Sequence, residues 1–176
     1  TLSRQEKVDF TNTVFITGAS LLARADSKVA GFNDLAGKSV SVVIGTTTEQ
    51  ALADRLAKTL VDAKVIKVKD HSEGLEALTE GRVDAHAGDQ LVLIGLAKAA
   101  KEPGRFALLP ELFSYEPYAL MVRRNDADFR LVANRAIAQL YRSGEIGAIY
   151  EKWFGDWGGR PSPLLLAMYA LNALPE

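Results

Sequence analysis

Thr46, Thr47 and Thr48 stand between the apolar run Val40–Ile44, closed by Gly45, and a helical pattern that runs from Glu49 to Leu60. A helix start carries backbone N–H groups with no partner inside the helix, and the helix dipole adds partial positive charge there. Such a corner holds carboxylate or phosphate, and threonine hydroxyls add donors. The plainer use of the same residues is capping, with Thr46 or Thr47 as the N-cap. Lys69-Asp70-His71, Gly81-Arg82-Val83-Asp84 and Gly88-Asp89 follow at the ends of short apolar runs. His71 opens a helix behind a strand, where its ring can donate to a carboxylate. Asp89 lies where a strand ends and a helix begins, so it either accepts from a ligand ammonium or caps that helix. Together these corners describe a site for a small molecule with both anionic and cationic groups.

The elements that must position them alternate. Strands are expected over Ser39–Ile44, Val65–Val68, Val83–Ala87, Arg105–Leu109 and Tyr118–Arg123. Earlier, Val14–Ile16 and Ser20–Ala23 read as strand bent at Gly18, and Asn33–Lys38 as a short helical turn. Helical periodicity predicts helices over Glu49–Leu60, Ser72–Glu80, Gln90–Ala100, Ala127–Ser143 and Ile146–Phe154, the last two parted by Gly144. Strands alternating with helices predict an α/β sheet with helices on its faces. The first ten residues carry no complete element. The final helices, with Trp153, Phe154 and Trp157, have an apolar load and no partner strands near them in sequence.

Composition narrows the function. A chain of 176 residues, 48% hydrophobic, is enough for an ordinary core. A net charge of −1 with interspersed signs offers no basic face for nucleic acid. The absence of cysteine excludes disulfides, thiolate metal sites and cysteine nucleophiles. Two histidines, His71 and His86, without a carboxylate at ligand spacing predict no metal site, and His86, between Ala85 and Ala87, reads as a packed sheet residue. No apolar run approaches the roughly 20 residues that span a bilayer, Leu164–Leu174 being too short. Ser, His and Asp occur without a nucleophile elbow or phosphate loop, so no catalytic set and no cofactor are expected. Asp84 and Asp89 could serve as an acid/base pair, but structural and ligand roles explain them more simply.

Read as a set, these motifs resemble the polar amino-acid binding proteins of ABC importers, a periplasmic-binding fold of type two. The matching pieces are Arg4-Gln5-Glu6-Lys7-Val8-Asp9-Phe10-Thr11, Asp34-Leu35-Ala36-Gly37-Lys38-Ser39-Val40, Gly45-Thr46-Thr47-Thr48-Glu49, Gly81-Arg82-Val83-Asp84-Ala85, Gly88-Asp89 and Ser143-Gly144-Glu145 through Tyr150-Glu151-Lys152-Trp153-Phe154. Lys69-Asp70-His71, at its distance from Asp89, is most similar to the glutamate/aspartate branch.

The resemblance implies an extracytoplasmic, periplasmic protein that binds an acidic L-amino acid and hands it to the membrane subunits of an ABC permease. It implies that Arg4 clamps the ligand α-carboxylate with a bidentate fork that lysine could not reproduce. Thr46, Thr47 and Thr48 would donate to the same carboxylate, Asp89 would accept from the ammonium, and His71 would donate to the side-chain carboxylate. Family members open with a further stretch of about ninety residues, the size of a small domain. By that comparison residues 1–14 are a hinge-proximal remnant of the first lobe, 15–117 the complete second lobe, and 118–176 the return hinge strand and C-terminal helices. Such a chain is expected to bind poorly and to self-associate through exposed Trp153, Phe154 and Trp157. The alternatives are the input domain of a receptor, or a cyclohexadienyl-dehydratase-like enzyme with an acid/base carboxylate in its cleft.

Overall fold

The structure, a computed structural model, describes residues 2–158 and 160–175, without the side chains of 156–158. The chain forms two compact units, one of Thr17–Glu116 and one of Thr1–Ile16 with Pro117–Glu176.

The Thr17–Glu116 unit is an α/β layer structure. Its strands are β2 (Ala19–Arg24), β3 (Ser39–Val43), β4 (Lys64–Val68), β5 (Ala85–Asp89) and β6 (Phe106–Leu108), in the order β4-β3-β5-β2-β6. β3 runs parallel to β4 and β5, whereas β2 runs antiparallel to β5 and β6. Helices α1 (Thr47–Thr59), α2 (His71–Thr79) and α3 (Gln90–Ala99) follow β3, β4 and β5. Strand alternation sends Val40, Val42, Ala85, Ala87, Leu21 and Ala23 to one face, where they pack with Leu52 of α1, Phe32 and Leu35. Ser41 and His86 are register partners across β3 and β5 and are both fully buried.

Strand β5 lies two residues later than the apolar run predicts, at Ala85–Asp89 rather than Val83–Ala87. Gly88 and Asp89 are poor strand formers, yet they pair with Ser20 and Ala19 of β2. Neighbouring strands thus override propensity and carry the carboxylate of Asp89 to the edge of the sheet. Asp84 then falls before the strand. It accepts from the Ser39 N–H at 2.8 Å and hydroxyl at 2.9 Å, and these bonds hold its carboxyl below the usual range.

The other unit begins with a 3-10 turn at Leu2–Glu6, so the first ten residues do carry an element. Strand β1 (Asp9–Thr17) pairs with β7 (Glu116–Val122), and three helices follow, α4 (Ala127–Ser143), α5 (Glu145–Gly158) and α6 (Pro163–Asn172). Helix α4 ends at Gly144, whose φ of +78° is the left-handed turn that glycine takes without strain. Asn134 of α4 accepts from the Asn12 N–H at 2.8 Å, and the Tyr141 hydroxyl donates to the Thr13 carbonyl at 3.1 Å.

The apolar load of the last helices finds its partners here. Ile137, Tyr141, Tyr150, Leu165, Met168 and Tyr169 form a core against Val14, Phe15 and Ile16 of β1. Phe154 belongs to it, with ring centroids 5.4 Å from Phe15 and 5.2 Å from Tyr150. This corrects the expectation that Phe154 is exposed; its aromatic neighbours cover it. Trp153 is 63% exposed, and the side chain of Trp157 lies outside the described residues. Among the described residues no helix is long and apolar enough to cross a membrane.

Candidate functional site

Three parallel strands hand over to three helices at one edge of the sheet. β3, β4 and β5 share a direction, so the N-termini of α1, α2 and α3 all open at their carboxyl ends. In open α/β sheets ligands bind at this edge, because loops there meet helix starts rich in free N–H groups.

At the first corner Gly45 turns with φ +74°, and Thr46 becomes the N-cap. The Thr46 hydroxyl accepts from the Glu49 N–H at 3.2 Å and donates to the Val43 carbonyl at 2.8 Å. Glu49 reaches back to accept from the Gly45 N–H at 2.6 Å. Its carboxyl is held below the usual range by Lys67 first and by that N–H second. Thr46 is therefore occupied by capping. Thr48 is buried, and Thr47 is the one of the three whose side chain is exposed.

Asp70 caps the second helix by accepting from the Glu73 N–H at 2.9 Å. His71 follows as its first residue, half-buried. Burial lowers its pKa, against the opposing charges of Asp70 and Asp89. Its Nδ1 lies 3.0 Å from Nε2 of His86, and Nδ1 of His86 lies 2.9 Å from the Ser41 hydroxyl. Sequence reading places His86 correctly inside the sheet but leaves it unconnected to His71.

The two oxygens of Asp89 stand in different surroundings. One carboxylate oxygen, Oδ1, accepts from the Leu91 N–H at 2.8 Å and caps α3. The other, Oδ2, is buried without any hydrogen-bond partner, on a residue only 7% exposed. A buried carboxylate oxygen left unpaired is costly and marks the place of a missing donor.

Glu116, which sequence reading passes over, belongs to the same electrostatic set. Burial and then the charge of Asp89 raise its pKa, while a hydrogen bond from the Ser114 hydroxyl at 3.2 Å opposes the rise. Ser114 also accepts from the Ala19 N–H at 2.8 Å. The backbones meet closely there: a Cβ on Gly18 would sit 2.2 Å from the Ser114 carbonyl oxygen. No local pattern marks Glu116, because strand pairing and not sequence proximity brings it toward Asp89.

Arg4 sits in the other unit, exposed on the opening 3-10 turn. It borders a cleft of about 500 Å³ with Phe10, Thr11, Thr13, Tyr118 and Leu120. No carboxylate pairs with its guanidinium among the described residues. Among those residues, too, no group of three His, Asp or Glu side chains could hold a metal ion.

Comparison with known proteins gives the family. The family model for bacterial extracellular solute-binding proteins, family 3, matches residues 1–156. An L-glutamate/L-aspartate-binding protein of Pseudomonas aeruginosa is 38% identical over 151 residues, which cover 86% of this chain and 50% of that protein. A glutamate/aspartate import solute-binding protein of Salmonella typhimurium is 35% identical over 162 residues, covering 92% and 52%. An ancestral arginine-binding protein solved with glutamine superposes with a TM-score of 0.67 at 32% identity, over 88% of this chain and 67% of that one. The chain thus spans about half the length of the curated relatives it matches. With an α/β sheet of type-two periplasmic-binding architecture and a family match over most of its length, the chain belongs to the bacterial extracellular solute-binding proteins of family 3.

Proposed function

We propose that this chain supplies the ligand-binding surface of an extracytoplasmic carrier for an acidic L-amino acid, glutamate or aspartate, which it delivers to the membrane subunits of an ABC importer. The unpartnered, buried Oδ2 of Asp89 carries this reading. An ammonium group is the partner it lacks, since a donor that is also a cation both satisfies the lone pairs and neutralises the charge. Free N–H groups at the start of α1, with the Thr47 hydroxyl and the backbone beside Thr46 and Thr48, suit the α-carboxylate. His71 donates to the carboxylate of the ligand side chain, and Arg4, on the other unit, carries a guanidinium whose bidentate fork fits a carboxylate. The two glutamate/aspartate-binding relatives support the acidic class. In this reading the protein works in the periplasm and binds without chemistry, so it needs neither metal nor cofactor.

Calorimetry on the product of the complete gene tests the reading. L-Glutamate and L-aspartate should bind more tightly than glutamine, histidine or arginine. Tighter binding of any of those three than of both acids would overturn it.

A further inference from the structure

His71 has two ring nitrogens, and what its inner one does decides what its outer one offers. Nδ1 faces Nε2 of His86 at 3.0 Å, with the two rings edge to face at 80°. Behind it, Nδ1 of His86 faces the Ser41 hydroxyl at 2.9 Å. His86 has no room to leave this line. It is fully buried on β5 between Ser41 of β3 and Leu22 of β2. A Cβ on Gly74 of α2 would lie 2.2 Å from Cε1, 2.4 Å from Nδ1 and 2.7 Å from Nε2 of its ring. His71 is braced as well, its Cε1 3.2 Å from where a Cβ on Gly88 would be.

A neutral imidazole carries one N–H and one acceptor nitrogen, so each bond in the line fixes the next. If the Ser41 hydroxyl donates to His86 Nδ1, the His86 hydrogen sits on Nε2 and is donated to His71 Nδ1. The hydrogen of His71 is then on its outer Nε2. In the reverse order His86 Nδ1 donates to the Ser41 oxygen across the same 2.9 Å, the Ser41 hydrogen is left for the Ala85 carbonyl at 3.4 Å, and the outer Nε2 of His71 carries a lone pair. The two orders differ in what His71 shows outward, and only the first shows a donor.

We propose that His86, held by Ser41, is a positioning residue for ligand recognition: it keeps His71 in the tautomer with its hydrogen on the outward Nε2, a neutral donor for an anionic group. The inference rests on the acidic-ligand reading for the choice of this tautomer, and on the ring geometry for the line of bonds that holds it. Burial agrees with it. His86 has its pKa pushed down to about 4, by burial first and by His71 second, so it is neutral at physiological pH. The charged groups that act on His71 are Asp70, one residue ahead at the cap of α2, and Asp89 at the end of β5; both favour its cation, and burial outweighs them. His71 Nε2 has no protein partner among the described residues and is not a buried orphan, which leaves it open to a ligand.

His71 and His86 are the only histidines in the chain, so their imidazole signals can be assigned without ambiguity. In long-range proton–nitrogen NMR spectra of the 176-residue chain at neutral pH, the slowly exchanging imino proton should belong to Nε2 of His86. It should correlate across the hydrogen bond with Nδ1 of His71. An imino proton on His71 Nδ1 overturns the proposal, whatever the ligand. Calorimetry of glutamate binding to the product of the complete gene, in buffers of differing ionisation enthalpy near pH 7.5, should find no proton uptake; uptake of about one proton per glutamate would make His71 a cation and sink the idea. His86→Leu should weaken glutamate binding about tenfold and leave glutamine binding less affected, while His86→Gln, which keeps a donor in place, should restore most of it. Equal affinities in the two variants would leave His86 a packing residue only. If no acidic amino acid binds at any pH while the imino correlation holds, it is the acidic-ligand reading that fails and not the tautomer.

Discussion

Asp89 offers the sharpest test, because only one of its two oxygens has a partner in the fold. Oδ1 caps α3 through the Leu91 N–H at 2.8 Å, and Oδ2 is buried with no partner. Replacement by Asn keeps an oxygen for the cap and removes the charge; replacement by Ala removes both. A hydrogen bond to a charged group is worth roughly 1.5–3 kcal/mol, so Asp89→Asn should weaken glutamate binding about ten- to a hundred-and-fifty-fold. Its melting temperature should hold or rise, since an unpaired buried carboxylate has become neutral. Asp89→Ala should lose similar affinity and, in addition, about 1 kcal/mol of capping energy, which for a chain of this size lowers the melting temperature by roughly 2–4 °C. The pair of variants thus separates capping from the proposed ligand role, which a single alanine substitution would confuse. Titration calorimetry and thermal melts on both variants read the two effects independently. If Asp89→Asn binds glutamate within about twofold of the parent, too small a loss for a missing charged hydrogen bond, the ammonium role is refuted and Asp89 is a cap alone.

Three further outcomes are expected. Gly74→Ala, which within a helix would ordinarily stabilise, should destabilise by about 1–3 kcal/mol because its Cβ would meet the His86 ring at 2.2 Å; an unchanged or raised urea midpoint would show that the ring can move aside. His86 is neutral when folded, with a pKa depressed to about 4 from 6.5, so its contribution is complete above about pH 6.5 and is lost as pH falls toward 4. By linkage this amounts to about 3 kcal/mol, most of it gone by pH 4.5, and urea unfolding of His86→Gln should show a flatter profile over that window than the parent. Leu120 and Met121 of β7, Phe129 and Val132 of α4, and Trp153 of α5 are each more than half exposed, so the 176-residue chain should self-associate. Light scattering that finds a monomer up to high concentration would count against this last expectation.

The sequence by itself was enough for the elements whose signals are local. Helix α4 runs over Ala127–Ser143 as its period predicts, because Asp126 caps its start by accepting from the Phe129 N–H and Gly144 ends it. Each of the three corners with Thr46, Asp70 and Asp89 was legible as a helix start for the same reason: a cap is made by neighbours within three residues. Helix α6 escaped, since Leu164, Leu165, Leu166 and Met168 give an apolar run with little period, and only the core against β1 decides which of them turn inward. The strand carrying Asp89 was misplaced by two residues because its last members are held by pairing with β2, a partner more than sixty residues away. Whether Asp89 caps or binds could not be read from its type, since a carboxylate suits both; the fold shows the cap at one oxygen and leaves the other buried and unpaired. His71, His86 and Ser41 meet only because three elements distant in the chain converge on one face of the sheet. Local chemistry could name each of these residues, but hydrogen-bond order passes between groups in contact, and contact at such separations is a property of the fold alone.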